Sequence, residues 1–104
     1  MGIVPKLSHT AAMILQSLDA GHRYGLSIME LAGLPSGTVY PALRRLEQDH
    51  LVSSHWESQD EAAQEGRPPR KYYQITPAGE AALAASRVRY PHLGGLFVSK
   101  QVVS

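Results

Sequence analysis

Gly33-Leu34-Pro35-Ser36-Gly37-Thr38-Val39-Tyr40-Pro41-Ala42-Leu43-Arg44-Arg45-Leu46-Glu47 is the stretch on which the fold turns. Gly33 can take the left-handed conformation that closes a helix, Leu34 can fold back on that helix's last turn, and Pro35 forbids continuation. Ser36 reads as the N-cap of the next helix, predicted over about 37–49. Gly33, Leu34, Pro35 and Ser36 alone separate it from an upstream helix expected from about Arg23 to Ala32, a connection of helix-turn-helix length. On a helical wheel Val39, Leu43 and Leu46 share a narrow apolar sector. Tyr40, Arg44, Arg45 and Gln48 lie on the far side with Gly37 and Pro41. Pro41 deletes one backbone hydrogen bond in the second turn and predicts a bend there.

Working outward, apolar residues recur at helical spacing through Leu7, Ala11, Ile14, Leu15 and Leu18. Ser8 as N-cap and Gly21 as stop bound a first helix of about 8–20. Downstream the period changes. Leu51 to Glu57 reads as a strand, Arg70 to Thr76 as a second, and the polar stretch Ser58 to Pro69 between them as a long hairpin tip. Thr76-Pro77 then opens a helix over 77–90, Thr as N-cap and Pro at the first helical position, which Pro91 ends. Its apolar residues, Ala81, Ala82, Leu83, Ala85 and Val88, are mostly small. Three helices, a hairpin and a further helix give a fold class of α+β, mainly α: a winged helix-turn-helix with a two-stranded wing and a short C-terminal helix. Residues 1–90 are expected to form that domain, and 91–104, with Gly94-Gly95 and Leu96-Phe97-Val98, a tail.

Composition narrows the function. The 104 residues are 43% hydrophobic and 18% charged, an ordinary folded composition, and cysteine is absent. That excludes disulfide scaffolds, thiol nucleophiles and sulfur-ligated zinc. The longest apolar runs, five residues as in Ala11 to Leu15, fall far short of the roughly 20 residues a membrane span needs. Met1-Gly2-Ile3-Val4-Pro5-Lys6 lacks the charged start and apolar stretch of a signal peptide, so a cytoplasmic location is expected. The net charge of +1 says little about partners. None of His9, His22, His50, His55 and His92 stands at a metal-ligand spacing, no Gly-x-Ser-x-Gly elbow surrounds a serine, and no glycine loop is built to cradle phosphate. No enzyme activity, cofactor or metal is expected.

The ordered set of motifs resembles the PadR family of bacterial transcription regulators. The matching residues are Gly21 with Tyr24-Gly25, the stretch Leu34 to Glu47 with its Tyr40-Pro41, then Leu51-Val52, then Gly66-Arg67-Pro68-Pro69-Arg70-Lys71-Tyr72-Tyr73 with Ile75-Thr76 and Gly79. The likeness covers about 7–90. Two departures stand out. His50 occupies a position where the family usually has glycine, one that wants a positive φ, which His tolerates better than most residues. The helix after the wing is short, whereas in the family a longer one supplies much of the dimer interface and often the ligand cavity. The resemblance implies a homodimeric repressor that binds an operator in double-stranded DNA, and a small aromatic effector that releases it.

Within that frame the third helix enters the major groove N-terminal end first. Ser36 and Thr38 can donate to phosphates or bases beside free helix N–H groups, and Tyr40 can reach a phosphate with its hydroxyl. Arg44 can read a guanine or clamp a phosphate, the base being the expected role, and Arg45, nearer the flank, is expected to hold a phosphate. Taken alone, such a face reads sooner as a solvated surface with a structural N-cap; the helix-turn-helix context reverses that in favour of DNA contact. Arg67, Arg70 and Lys71 give the wing positive charge uninterrupted by any acid, while Glu57, Asp60, Glu61 and Glu65 occupy its first half, so these cations are expected to contact DNA. Trp56, Tyr72 and Tyr73 are expected to pack within the hairpin. The alternative is a winged-helix module that binds protein without DNA. It predicts a third-helix face that is apolar or acidic.

Overall fold

The computed structural model describes residues 6–93. Helix α1 (His9–Asp19) starts where Ser8 accepts a hydrogen bond from the Ala11 N–H, and its apolar stripe puts Ala12, Ile14, Leu15 and Leu18 into the core. Helix α2 (Gly25–Ala32) closes on Gly33 at φ 69°, with the Leu34 N–H returning to the Met29 carbonyl at 3.2 Å. Helix α3 (Ser36–Gln48) follows. Its cap differs from expectation. Pro35 is the N-cap residue and makes no side-chain cap, while Ser36 is already helical and exposed. The ring of Pro35 holds the φ of −75° that the turn needs, so no hydroxyl is required to set the helix going.

The end of α3 also carries the aim of the wing. Asp49 caps it and His50 stands at φ 62°. The Leu51 N–H then reaches back to the Leu46 carbonyl at 2.9 Å and the His50 N–H to Glu47 at 3.0 Å, a Schellman ending built on histidine. Strand β1 (Val52–Trp56) pairs antiparallel with β2 (Lys71–Ile75), Val52 opposite Ile75 and Trp56 opposite Lys71. Tyr24 adds an isolated bridge to Tyr72, and the Tyr73 N–H donates to the Arg23 carbonyl at 2.7 Å, so the segment before α2 extends the sheet by one short edge.

Between the strands, the stretch expected to be an irregular tip holds a helical turn, α4 (Gln59–Gln64). Ser58 accepts from the Glu61 N–H and its hydroxyl donates to the Glu61 carboxylate, a capping pair written in the sequence as Ser58-x-x-Glu61. Ala62 is buried beneath it. Helix α5 (Pro77–Arg89) is the helix expected after the wing, capped by Thr76. Thr76 also donates to the His50 carbonyl at 2.7 Å, and a Cβ on Gly79 would collide with the Leu51 carbonyl, so α5 begins pressed against the base of the wing.

The core joins Ile14 and Leu15 of α1, Ile28 of α2, Val39, Leu43 and Leu46 of α3, Leu51, Val52 and Tyr73 of the wing, and Leu83 of α5. α1 is its hub, in contact with α2, α3, α5 and β2. Arg87 of α5 donates to Gln16 and to Asp19, and the Tyr90 hydroxyl donates to the Leu7 carbonyl at 2.9 Å. Two polar ties therefore bolt α5 to α1. Of the tail, Leu93 is buried. Residues 94–104 lie outside the described residues.

Candidate nucleic-acid interface

Burying Val39, Leu43 and Leu46 turns the opposite side of α3 to solvent. Gly37, Pro41, Arg44 and Gln48 form its crest, with Arg45 to one side and Tyr40 to the other, all exposed. Among the described residues, neither Arg44 nor Arg45 has an ion-pair partner, whereas Arg67, Lys71 and Arg87 each do. Ser36 is exposed and Thr38 half-buried at the start of the helix. Arg45 flanks a groove against Lys6, Ser8 and Ala11 at the beginning of α1.

Tyr40 does more than point outward. Its ring lies over Gly25, where a Cβ would collide with it, so glycine at the start of α2 is what lets this tyrosine lock α2 and α3 together. Sequence reasoning gave the residue only a hydroxyl to spend. The contact depends on how α2 crosses α3, which the spacing along either helix does not carry.

The wing cations are partnered in three different ways. Arg67 forks onto Glu57, Nη1 to Oε1 at 2.5 Å and Nη2 to Oε2 at 2.8 Å, and its Nε donates to Glu65 at 3.0 Å. Glu57, its side chain only 7% exposed, also accepts from the Arg70 N–H and from the Tyr72 hydroxyl. The Arg67 guanidinium, above all, holds the Glu57 carboxyl down at about 2, against an ordinary 4.5, in spite of burial. The same pair raises Arg67 well above the usual arginine range. Arg67, expected to contact DNA, has its donors taken up in this structure by two acids on the first half of the wing, Glu57 and Glu65. Arg70 lies with its guanidinium 4.0 Å from the centroid of the Tyr24 ring. Lys71 reaches Glu47 at 3.7 Å and remains half-exposed.

Glu47 joins helix to wing. It accepts from the Ser54 hydroxyl at 2.5 Å as well as pairing with Lys71. Ser54, Trp56, Lys71 and Tyr73 share one face of the hairpin by register, and that face looks toward the Tyr40–Arg44–Glu47 flank of α3. Burial first, then the neighbouring Glu47 charge, raises the Tyr73 hydroxyl, with Arg44 acting in the other direction. Trp56, expected to pack within the hairpin, is instead 66% exposed on that face.

Among the described residues no group of three His, Asp or Glu side chains could hold a metal ion, and no helix is long and apolar enough to cross a membrane.

Comparison with known proteins agrees with this arrangement. The chain is similar to a PadR family transcription regulator from hypervirulent Clostridium difficile R20291 at 24% identity and a TM-score of 0.70, over 93% of this chain and 100% of that one. It is similar to a PadR-like transcription factor from Bacteroides fragilis at 30% identity and a TM-score of 0.58, over 81% of this chain and 82% of the other. It also shares its fold with S. aureus MepR, whose structure is of a DNA complex, at 21% identity and a TM-score of 0.64, over 89% of this chain and 63% of that one. No curated protein matches it. Residues 14–85, from the middle of α1 to the last turns of α5, match the profile of the transcriptional regulator PadR-like family, and with helix, turn, helix and wing all lying inside that span, the chain belongs to that family.

Proposed function

We propose that this transcription regulator binds operator DNA as a homodimer and represses by blocking promoter access. The observation that carries the reading is the solvent face of α3, where Arg44 and Arg45 stand unpaired on the crest and flank of a helix whose other side is core. In the major groove Arg44 reads a base edge. Arg45, Tyr40, Ser36 and Thr38 hold phosphates around it, Arg70 and Lys71 add wing contacts, and Arg67 keeps the wing in shape. A face of this kind is neither apolar nor acidic, which argues against a winged-helix module that binds only protein. The domain that does this spans residues 1–90. Two such faces must sit about 34 Å apart to meet successive major grooves on one side of a duplex. The exposed Ala81, Ala84, Ala85 and Val88 stripe of α5 supplies the dimer contact, because α1 is consumed as the hub of the core. A small aromatic effector acts by changing the spacing between the two faces.

The test is affinity for an operator fragment and its scrambled version at several salt concentrations. Arg44→Ala is expected to cost about 1–3 kcal/mol at the operator and to relax preference at one position per half-site. Equal weakening on both duplexes would make Arg44 a phosphate clamp, and no change on either would remove α3 from the interface. Transcription in vitro with and without the protein reads the sign of regulation.

A further inference from the structure

Trp56 is the most exposed aromatic side chain in the described structure and the chain's one tryptophan. Nothing in the fold requires it there. Its register partner is Lys71, whose Nζ lies 5.9 Å from the centroid of the indole ring. Both belong to the hairpin face turned toward the Tyr40–Arg44–Glu47 flank of α3, and Glu47 ties that flank to the wing through Ser54 and Lys71. The indole therefore stands at the outer end of the seam between recognition helix and wing, beside a cation, at a fixed distance from the helix.

A duplex seated with α3 in the major groove must lay something on that seam. The wing flanks the adjacent minor groove, so the sugar–phosphate strand that separates the two grooves runs between helix and wing. We propose that Trp56 is a duplex-contacting residue: its ring packs on a deoxyribose of that strand, its Nε1–H donates to the neighbouring phosphate, and Lys71 neutralises the same phosphate. An indole suits this place. It offers a flat apolar face to a sugar and a single donor to an anion, and it carries no charge. The contact is to backbone, so it adds affinity without sequence preference.

This rests on the interface proposed above, and the experiment separates the two. Wild type, W56A, W56F, K71A and R44A are titrated with a pool of random-sequence duplexes and with an operator fragment at several salt concentrations, following binding for all five and, for wild type, K71A and R44A, the emission of the single tryptophan. The expected result is a saturating change in emission on both duplexes and, for W56A, a loss of roughly tenfold on both, the scale of removing one aromatic contact to a nucleic acid. W56A should keep the wild-type salt slope, because no charge is lost, whereas K71A should reduce it. W56F should recover part of the affinity through its ring. Thermal unfolding of W56A should match wild type, since the side chain is exposed. W56A binding as tightly as wild type while R44A binds weakly overturns the proposal and leaves the interface standing. A wild-type protein that binds no duplex at low salt overturns both. An unchanged emission spectrum at saturating duplex overturns the assignment of the indole to the contact.

Discussion

His50 shows how much one residue's backbone can decide. The chain must reverse out of α3 and start β1 within two residues, and it does so through a left-handed histidine at φ 62°. Glycine adopts that conformation freely, and a side chain pays for its Cβ there. His50→Gly is therefore expected to raise stability by about 0.5–1 kcal/mol, less whatever the freer unfolded chain loses, and His50→Val to lower it by more than about 1 kcal/mol, both read from denaturant unfolding. Leu43 gives the opposite kind of dependence. It is fully buried against α1 and the wing's root, so Leu43→Ala should cost about 2–5 kcal/mol. An unchanged midpoint would mean the wheel is rotated and Arg44 misplaced with it. Both positions were legible beforehand, Leu43 from its spacing and His50 from standing where the family has glycine. Tyr40 was half legible: its outward position followed from the wheel, while its ring over Gly25 depends on how α2 crosses α3, which spacing along one helix does not contain.

At the scale of elements the wing is the instructive case. Its two strands were readable from alternation and its boundaries from Thr76-Pro77, because those signals are local. α4 was missed: Ser58-x-x-Glu61 carries its capping signal, but the polar run around it reads as a loop. What was not readable is the fork of Arg67 onto Glu57, ten residues apart across the tip, since charge segregation along a chain says nothing of which charges the hairpin brings together. The fork has a pH signature. Glu57 titrates at about 2 when folded and near 4.5 when not, a depressed acid, so its contribution is complete above about 4.5 and is lost as pH falls toward 2. Glu57→Gln is expected to lower stability at neutral pH and to flatten the stability–pH slope between those values. A mutant whose slope over that range equals wild type would show that other carboxylates carry it. Arg67→Lys, which cannot fork, should resemble Glu57→Gln at neutral pH.

Across the whole molecule, α5 is the part with a surface left over. Val88 is 83% exposed at the C-terminal end of a stripe of alanines, and small residues let two helices approach closely. Val88→Asp is expected to shift sedimentation at micromolar concentration toward the monomer, with the thermal midpoint of the isolated chain little changed at an exposed site. A wild-type protein that sediments only as monomer would exclude the dimer outright. The two polar ties, Arg87 to Gln16 and Asp19, and Tyr90 to Leu7, give that arm a mechanical meaning. In the proposed dimer, arm and reading head would turn as one rigid lever, and an effector would act where the two arms meet. With a body at most 42 Å long, a rotation of about 5° at that pivot would carry each recognition helix up to some 3–4 Å along its groove. That is about one base-pair step of a duplex, enough to put every base contact out of register at once.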